Sequence, residues 1–317
     1  MPQPVQLRPV DDLDHLSRIA ELMNMVDREP VNVDTLREWL RNAAPDRVYQ
    51  RVAALDDMGQ MVGFHTVLRN SWMRPGHFWT RVIVDVAHRH LGIGTLLLED
   101  AIAFIRTQDA THIESEVRDD CALCLQFAEK HGFSIERHTF ESHLDLNVFD
   151  ESRFKGTVEA VEASDIRFFT LADLGNTLEA QQKLYEINRL CAADNPSNEG
   201  WSFPPFEAFR KHVFEASWFR ADGQIIAADG DNWIGIAAVG YYEHTSSMYN
   251  AFTGVDRAYR GRKIALALKL LAIQCARKYG AKSILTDNDS LNAPMLAINR
   301  KLGYQQDPGI YRLLRRL

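Results

Sequence analysis

Apolar residues in the first half of the chain recur with two spacings, which predict alternating helices and strands. Over residues 11–27 they recur at helical spacing. Runs at 48–55 and 61–68 flank Asp57-Met58-Gly59, a sequence typical of a hairpin turn. The other predicted elements of this half are strands at 5–9, 78–86 and 112–117, helices at 33–43, 92–107 and 119–131, and one or two strands within 133–146. This order predicts a mixed sheet with helices on both faces.

The second half shows the same order of spacings. Its predicted strands are 166–170, 224–228, 233–242, 247–255, 283–288 and 304–313, and its predicted helices are 178–192, 205–214, 263–279 and 292–301. Residues 147–163 lack clear periodicity and are expected to be a linker. An extra loop at 194–205 occurs only in this half. It is either a substrate-selecting element or a solvated surface loop.

The two halves repeat each other at a fixed offset of 171 residues. Arg89 recurs as Arg260, and Gly132 recurs as Gly303. Further identities on this offset are Val84/Val255, Asp85/Asp256, Ala87/Ala258, Ile93/Ile264, Ala101/Ala272, Ile102/Ile273, Ile113/Ile284 and Lys130/Lys301. Such a run without a gap indicates a duplicated domain. We therefore expect an α/β chain with one domain at 1–147, a linker at 148–163 and a second domain at 164–317.

Composition and charge restrict the class of protein. With 46% hydrophobic and 25% charged residues in a chain of 317, the composition is that of a globular protein with two domains. The formal net charge of −7 argues against a nucleic-acid partner, whose phosphates require a basic surface. No apolar run approaches the roughly 18 residues that span a bilayer, so we expect no membrane partner and a cytoplasmic location.

The four cysteines are too few for a disulfide framework. Cys121 and Cys124 have the spacing of redox or zinc motifs, but no second pair completes a zinc site. We expect ordinary packing for this pair, with redox chemistry as the alternative, and no metal site.

The repeated turn carries the strongest chemical signal. In each half an apolar strand leads to an arginine, Arg89 or Arg260, and then through small residues such as Gly94 or Ala265 directly into a helix. The first N–H groups of a helix have no partner within it, and with the helix dipole they form an anion site suited to a diphosphate. The arginines either add positive charge there or are simply solvated.

Two other phosphate-binding motifs do not fit this turn. A dinucleotide-binding Rossmann turn requires a third glycine where Leu97 stands, and Lys263-Ile264-Ala265 contains no glycine. The Walker pattern is also absent from the sequence.

The turn resembles the signature of the GNAT (Gcn5-related) N-acetyltransferases, Arg/Gln-x-x-Gly-x-Gly/Ala. The first half has it in full as Arg89-His90-Leu91-Gly92-Ile93-Gly94, and the second as Arg260-Gly261-Arg262-Lys263-Ile264-Ala265. The family's later motif appears as Asn292 followed by Gly303-Tyr304, and in the first half as Gly132-Phe133 with Cys121 at the asparagine position. The resemblance covers the chain twice over, so it implies two tandem GNAT acyl-CoA N-acyltransferase folds.

The resemblance implies how acetyl-CoA, the acyl donor, is held. The fourth and fifth strands of the fold splay apart and the pantetheine arm lies between them. The residues implied in the first half are Val82, Val84, Arg89, His90, Leu91, Gly92, Ile93, Gly94 and Thr95. Those implied in the second are Thr253, Val255, Arg260, Gly261, Arg262, Lys263, Ile264, Ala265, Leu266 and Asn292. A backbone N–H near the thioester polarises its carbonyl.

The halves differ at the positions that carry chemistry. The first keeps Gly92 but has Ala128 where the family commonly places a tyrosine acid, and the second has Asn299 there. An amide cannot protonate a leaving thiolate, but a thiol pKa of about 8.5 makes thiolate a tolerable leaving group, and Tyr304 or water can protonate it. Because the second half keeps Asn292, we expect it to be the active one.

Two carboxylates of the second half are candidate bases for the substrate ammonium. Glu243 and Asp287 end predicted strands near the expected substrate cleft. The alternative for each is a solvated carboxylate at a strand end. Tyr241, Tyr242, Tyr249 and Trp201 either line an acceptor pocket or pack on the sheet.

The sequence therefore predicts an acetyl-CoA-dependent N-acetyltransferase acting on a primary amine of a small molecule by direct attack. The alternative is a non-catalytic acyl-CoA-binding or regulatory protein. The acceptor and the oligomeric state stay open.

Overall fold

The computed structural model describes residues 5–10, 12–27, 31–41, 46–70, 73–196 and 202–317. The chain forms two compact units: unit 1 comprises Met1–Glu136 and Tyr311–Leu317, and unit 2 comprises Arg137–Ile310. This division differs from the boundaries expected at 147 and 164. Each unit has its own hydrophobic cores.

Unit 1 is a mixed sheet with helices packed on it, in the strand order β1-β2-β3-β4-β5-β13. Its strands are β1 (Gln6–Pro9), β2 (Val48–Leu55), β3 (Met61–Arg69), β4 (His77–Val84), β5 (His112–Arg118) and β13 (Ile310–Arg316). Its helices are α1 (Asp12–Asn24), α2 (Val33–Arg41), α3 (Ile93–Arg106) and α4 (Ala122–Lys130). The predicted hairpin is confirmed, since Asp56 Oδ1 accepts hydrogen bonds from the backbone N–H of Met58 and Gln60 between β2 and β3.

Unit 2 repeats this layout in the strand order β6-β11-β10-β9-β8-β7. Its strands are β6 (Ser134–Asp145, from residue 137 onward), β7 (Ile166–Thr170), β8 (Gln224–Asp229), β9 (Asn232–Tyr242), β10 (Ser247–Val255), β11 (Ser283–Asp289) and β12 (Gln305–Gln306). Its helices are α5 (Thr157–Glu162), α6 (Leu178–Ala192), α7 (Phe206–Val213), α8 (Ile264–Lys278) and α9 (Ala293–Leu302). The α/β fold with mixed sheets is thus confirmed for both halves.

Helix α8 is buried in unit 2 because nearly every one of its turns carries apolar side chains. Ten of its residues are buried, from Ile264 to Ala276, and they pack on β9 and β10. The corresponding helix of unit 1, α3, buries six residues in the same way. Full burial of one such aliphatic side chain contributes about 1.5–3 kcal/mol, so these helices anchor the turns that precede them.

The segment expected to be a linker is folded and belongs to unit 2. Residues Glu151–Phe154 form a 3₁₀ helix and α5 follows at once. Phe149, Phe154 and Val161 are buried in the main core of unit 2, and Arg277 of α8 donates to the carbonyl oxygen of Phe149 over 2.9 Å. The sequence of this segment shows no clear periodicity because its helices are only one or two turns long.

The last strand of each half differs from expectation in its partners. The strand predicted within 133–146 is β6, and its residues Thr139–Asp145 pair antiparallel with β11 in unit 2. The strand predicted at 304–313 is instead β12 followed by β13, and β13 belongs to unit 1, where Leu313 is buried beside Ile113. Each unit therefore takes its last strand from the other half of the sequence.

The structure joins Cys121 and Cys124 by a disulfide at the start of α4, so the expectation of ordinary packing was wrong for this pair. Cys191 and Cys275 are free and buried. Among the described residues, no helix combines the length and the apolar character needed to cross a bilayer.

Candidate active site

The signature turn has the same hydrogen bonds in both units. In unit 2, Asp256 accepts from the backbone N–H of Ala258 over 2.9 Å, and Arg260 Nε donates to the carbonyl oxygen of Val255 over 3.1 Å. In unit 1, Arg89 Nε donates to the carbonyl oxygen of Val84 over 3.2 Å. The signature arginine therefore fixes the path of the chain as it leaves the strand.

The residue before each helix adopts a left-handed conformation. Gly92 has φ 84° and Lys263 has φ 63°, and neither caps its helix with a side chain. A left-handed residue turns the chain sharply into the helix, which explains why the family signature has glycine there. The first N–H groups of α8 have no carbonyl partner within the helix and are available to an anion.

Lys263 is expected to lower the stability of the fold while it adds positive charge at the start of α8. We expect Lys263→Gly to raise the free energy of unfolding by about 1 kcal/mol, because the left-handed conformation costs a side-chain-bearing residue about that much. The loss of the ammonium should weaken binding of the acetyl-CoA that the resemblance implies by about 1 kcal/mol, roughly fivefold in Kd. Chemical denaturation and calorimetric titration measure the two effects. The reciprocal Gly92→Lys should destabilise the protein, and an unchanged Kd in Lys263→Gly would exclude a contact between Lys263 and the ligand.

A cavity of about 590 Å³ in unit 2 gathers most of the residues expected in the second half. Those lining it are Thr253, Val255, Arg260, Gly261, Lys263, Ile264, Ala265, Leu266, Asp287 and Asn292. Arg262 is exposed instead, with its guanidinium 5.4 Å from the centre of the Tyr259 ring. The cavity thus joins the start of α8 to the ends of β10 and β11.

The cavity exists where β10 and β11 separate. Their parallel pairing runs from Ser247 to Tyr249 on β10, whereas β10 stays paired with β9 as far as Val255. Between Asn250 and Phe252 the pairing with β9 shifts by one residue, which is a β-bulge. Ala251 and Phe252 at this bulge both line the cavity.

Asp194 holds two arginines at the edge of the cavity. It pairs with Arg257 and with Arg260, and the hydrogen bonds from these guanidinium groups keep the pKa of Asp194 below its usual range. Asp194, Asn195 and Pro196 all line the cavity. The described beginning of the loop inserted in the second half therefore lies at the site.

In unit 1, side chains of α4 and of the residue after it lie beside the corresponding turn. The position that a Cβ on Gly94 would occupy lies 3.5 Å from the Phe127 ring, and Thr95 Oγ1 lies 3.3 Å from Nε2 of His131. Val82, Val84 and Leu91 pack in the apolar cluster around the buried Ile93. His90 has φ 62° in the turn itself. The residues implied in the first half are thus brought together as a packed turn.

Polar residues behind the unit 2 cavity are replaced by apolar ones in unit 1. Asn299 Nδ2 donates to Asn288 Oδ1 over 2.7 Å, and Asn288 Nδ2 donates to Ser142 Oγ over 2.9 Å. At the offset of 171, Asn288, Asn299 and Tyr304 correspond to Val117, Ala128 and Phe133. Buried polar groups require partners, so unit 2 retains a network that packing alone does not need.

The three candidate catalytic residues lie in different surroundings. Asp287 lines the cavity and accepts a hydrogen bond from the hydroxyl of Tyr249. Glu243 has 80% of its side chain exposed and pairs with Arg220 over 3.3 Å, outside the residues that line the cavity. Tyr304 is buried, and burial raises its pKa well above the usual value. Its hydroxyl has no hydrogen-bond partner among the described residues.

The three described tyrosines that were considered for the acceptor pocket have different ring partners. Tyr242 and Tyr249 meet edge to face with ring centres 6.1 Å apart. Tyr241 instead packs against Tyr279 with ring centres 5.2 Å apart. Trp201 lies outside the described residues.

Comparison with known sequences decides the family. The sequence model of the "Acetyltransferase (GNAT) family" matches residues 13–133 and 182–304, which together exceed half of the chain. The chain belongs to the GNAT acetyltransferase family. The two matched regions agree with the duplicated GNAT fold predicted from the repeated turn.

Curated relatives of this GNAT protein are named mycothiol acetyltransferase. One from Saccharomonospora viridis is 24% identical over 238 residues, which cover 71% of this chain and 70% of the relative. One from Corynebacterium glutamicum (strain R) is 25% identical over 126 residues, 39% of this chain. The chain spans about two fifths of the length of that second relative, 41%.

Solved structures show the same tandem GNAT fold. A GCN5-related N-acetyltransferase from Sphaerobacter thermophilus aligns with TM-score 0.63 and 16% identity, covering 99% of this chain and 96% of that one. A tandem GNAT protein from the clavulanic acid biosynthesis pathway aligns with TM-score 0.60 and 17% identity, covering 99% and 98%. At such identities the likeness concerns the fold alone.

Sequence reasoning missed Lys269, Asn250 and Thr286, which sit at the bulge or line the cavity of this GNAT protein. One signal was present: Lys269 is the one charged residue within the apolar stretch Ile264–Ile273. A lysine on the buried face of an otherwise apolar helix indicates a function. Asn250 and Thr286 carried no such signal, because each stands in a strand beside ordinary neighbours.

Proposed function

We propose that the chain transfers an acetyl group from acetyl-CoA to a primary amine of a small molecule, and that unit 2 is the catalytic unit. The cavity between β10 and β11 carries this proposal, because it joins an anion-binding helix start at one end to the carboxylate of Asp287. The curated relatives are named for mycothiol, a small molecule, which supports a small-molecule acceptor.

The diphosphate of acetyl-CoA would bind at the start of α8. The free N–H groups of Ile264, Ala265 and Leu266 and the ammonium of Lys263 supply donors and positive charge there. The pantetheine arm would follow the backbone of Thr253 and Val255 toward the bulge. This places the thioester near Ala251 and Phe252, where a backbone N–H can stabilise the negative charge that develops on its carbonyl oxygen.

Residues of the chain would then take up the proton that the substrate ammonium loses. Asp287, held by the hydroxyl of Tyr249, would take the proton from the substrate ammonium so that the neutral amine attacks. The thiol of CoA has a pKa of about 8.5, so the thiolate can leave without a dedicated acid. Asn299 lies where the family commonly has a tyrosine and bonds Asn288, so it serves structure at that position. Burial raises the pKa of Tyr304 and makes its hydroxyl a poor acid, so water is the proton source for the leaving thiolate.

A thiol-release assay with acetyl-CoA and a panel of primary amines tests the function. We expect CoA release that depends on the amine, with the N-acetylated product seen by mass spectrometry. The matched control is each amine in its already acetylated form, which should give no release above background. Tight CoA binding without amine-dependent release would contradict the proposal and support the acyl-CoA-binding alternative.

A further inference from the structure

The β-bulge in β10 is built around one buried side chain. Asn250 is 2% exposed, and its Nδ2 donates to the carbonyl oxygens of Ala238 over 3.1 Å and of Phe252 over 2.9 Å. Its Oδ1 accepts from Lys269 Nζ and from Thr253 Oγ1, each over 2.9 Å. A bulge interrupts the ladder between strands, and this amide bonds a carbonyl group on each of the two strands just beyond the interruption.

Lys269 is buried without a counter-charge. It is 1% exposed, and its Nζ lies 4.9 Å from the centre of the Tyr304 ring. Among the described residues no carboxylate pairs with it, and burial lowers its pKa to about 7. Burying a lysine in this way opposes folding, so its presence calls for a use beyond packing. Lys269 also lines the cavity, close to where the thioester would lie.

Unit 1 lacks both the pair and the bulge. Because β10 has one extra residue at the bulge, Asn250 corresponds to Thr80: the Thr80 carbonyl oxygen accepts from Ser115 as that of Asn250 accepts from Thr286. Lys269 corresponds to Leu98 at the offset of 171. The pairing of β4 with β3 runs from Trp79 to Val84 without a shift in register. The lysine, the asparagine and the bulge thus occur together in unit 2, beside the cavity described there.

We propose that Lys269 is a positioning residue for acetyl transfer: by hydrogen bonding to Asn250 it holds the β10 bulge so that a backbone N–H there faces the thioester carbonyl. This inference rests on the proposed function of unit 2. The interaction with the carbonyl strengthens as charge develops on its oxygen, so it belongs to the transition state more than to binding.

Lys269→Met tests the inference, because methionine has a similar length but no donor. We expect kcat for amine acetylation to fall about 10²-fold, as for loss of one donor to a developing oxyanion. The KM for acetyl-CoA should change less than about threefold, since the diphosphate site is untouched. Lys278→Met, the same change at an exposed position of the same helix, should leave both constants unchanged.

A double-mutant cycle shows whether Lys269 acts through Asn250. If it does, Lys269→Met combined with Asn250→Ala should be no slower than Asn250→Ala alone. Full additivity of the two losses would overturn the inference, as would a Lys269→Met variant with wild-type kcat. An effect confined to KM would overturn it as well.

Two further measurements separate positioning from folding and from the proposed function. Lys269→Met should melt at or above the wild-type temperature near pH 7, because it removes a buried amine, while hydrogen exchange at residues 250–253 should become faster. Unchanged exchange there would contradict the role in the bulge, whether or not the variant is active. If the wild-type protein shows no amine-dependent CoA release, the proposed function is refuted instead. The exchange measurement then still tests whether Lys269 holds the bulge.

Discussion

Replacing Ala265 by glutamate should lower kcat/KM for acetyl-CoA at least about 10²-fold. Ala265 lies in the first turn of α8 and lines the cavity, so the new carboxylate would stand where the diphosphate binds. Bringing like charges together at a binding site costs several kcal/mol, and about 2.8 kcal/mol corresponds to a hundredfold loss. Steady-state kinetics with varied acetyl-CoA measure the effect, which should appear mainly in KM.

Gly94→Glu is the matched change in unit 1. Gly94 stands at the same place in α3, and a Cβ there meets the Phe127 ring at an ordinary contact distance of 3.5 Å. If unit 2 is the catalytic unit, this variant should keep kcat/KM within about twofold of the wild type, in line with the usual small effect of surface substitutions. The opposite result, activity lost in Gly94→Glu and kept in Ala265→Glu, would move the chemistry to unit 1.

Asp287→Asn should reduce kcat for amine acetylation about 10²- to 10³-fold at pH 7, the usual contribution of a positioned base. Asn keeps the size of the side chain and can still accept from Tyr249, but it cannot take a proton. The defect should shrink as the pH rises toward the pKa of the acceptor amine, because a growing share of the substrate is then already neutral. A pH–rate profile of both proteins checks this.

Three further variants separate this role from others. Tyr249→Phe removes only the donor to Asp287 and should cost about tenfold, near the lower end of the value of one hydrogen bond to a charged group. Glu116→Gln, the change at the corresponding position of unit 1, should leave the rate unchanged. Glu243→Gln tests the other candidate carboxylate. A larger fall in kcat for Glu243→Gln than for Asp287→Asn would show that Glu243 is the base. A defect that is equal at every pH would mean that Asp287 binds the acceptor instead.

Much of the candidate site could be predicted from the sequence because its geometry is local. The turn from Arg260 to Ala265 bends through short-range hydrogen bonds and one left-handed residue, and such features depend on a few neighbouring residues. The placement of Asp287 followed from its position at the end of a strand. Glu243 fits the same rule and yet lies exposed beside Arg220, because strand ends alone do not say which side chains face the cleft.

The polar pair of Lys269 and Asn250 could not be placed by such rules. Their contact joins residues 19 positions apart across a helix and a strand, and it depends on the one-residue shift between β9 and β10. A bulge changes register without any break in the apolar pattern, so only the folded sheet shows which side chains meet at it.

By itself the sequence determined that the chain is a duplicated α/β protein with one signature turn in each half, since the repeat at offset 171 and the helical and strand periodicities are local properties. Only the tertiary structure decided that β13 belongs to unit 1, that residues 137–145 belong to unit 2, and which side chains line the cavity of unit 2. Alternation along a strand determines which face is buried but not which of two similar partners it pairs with. That choice depends on long-range packing, which two nearly identical sequence patterns cannot distinguish.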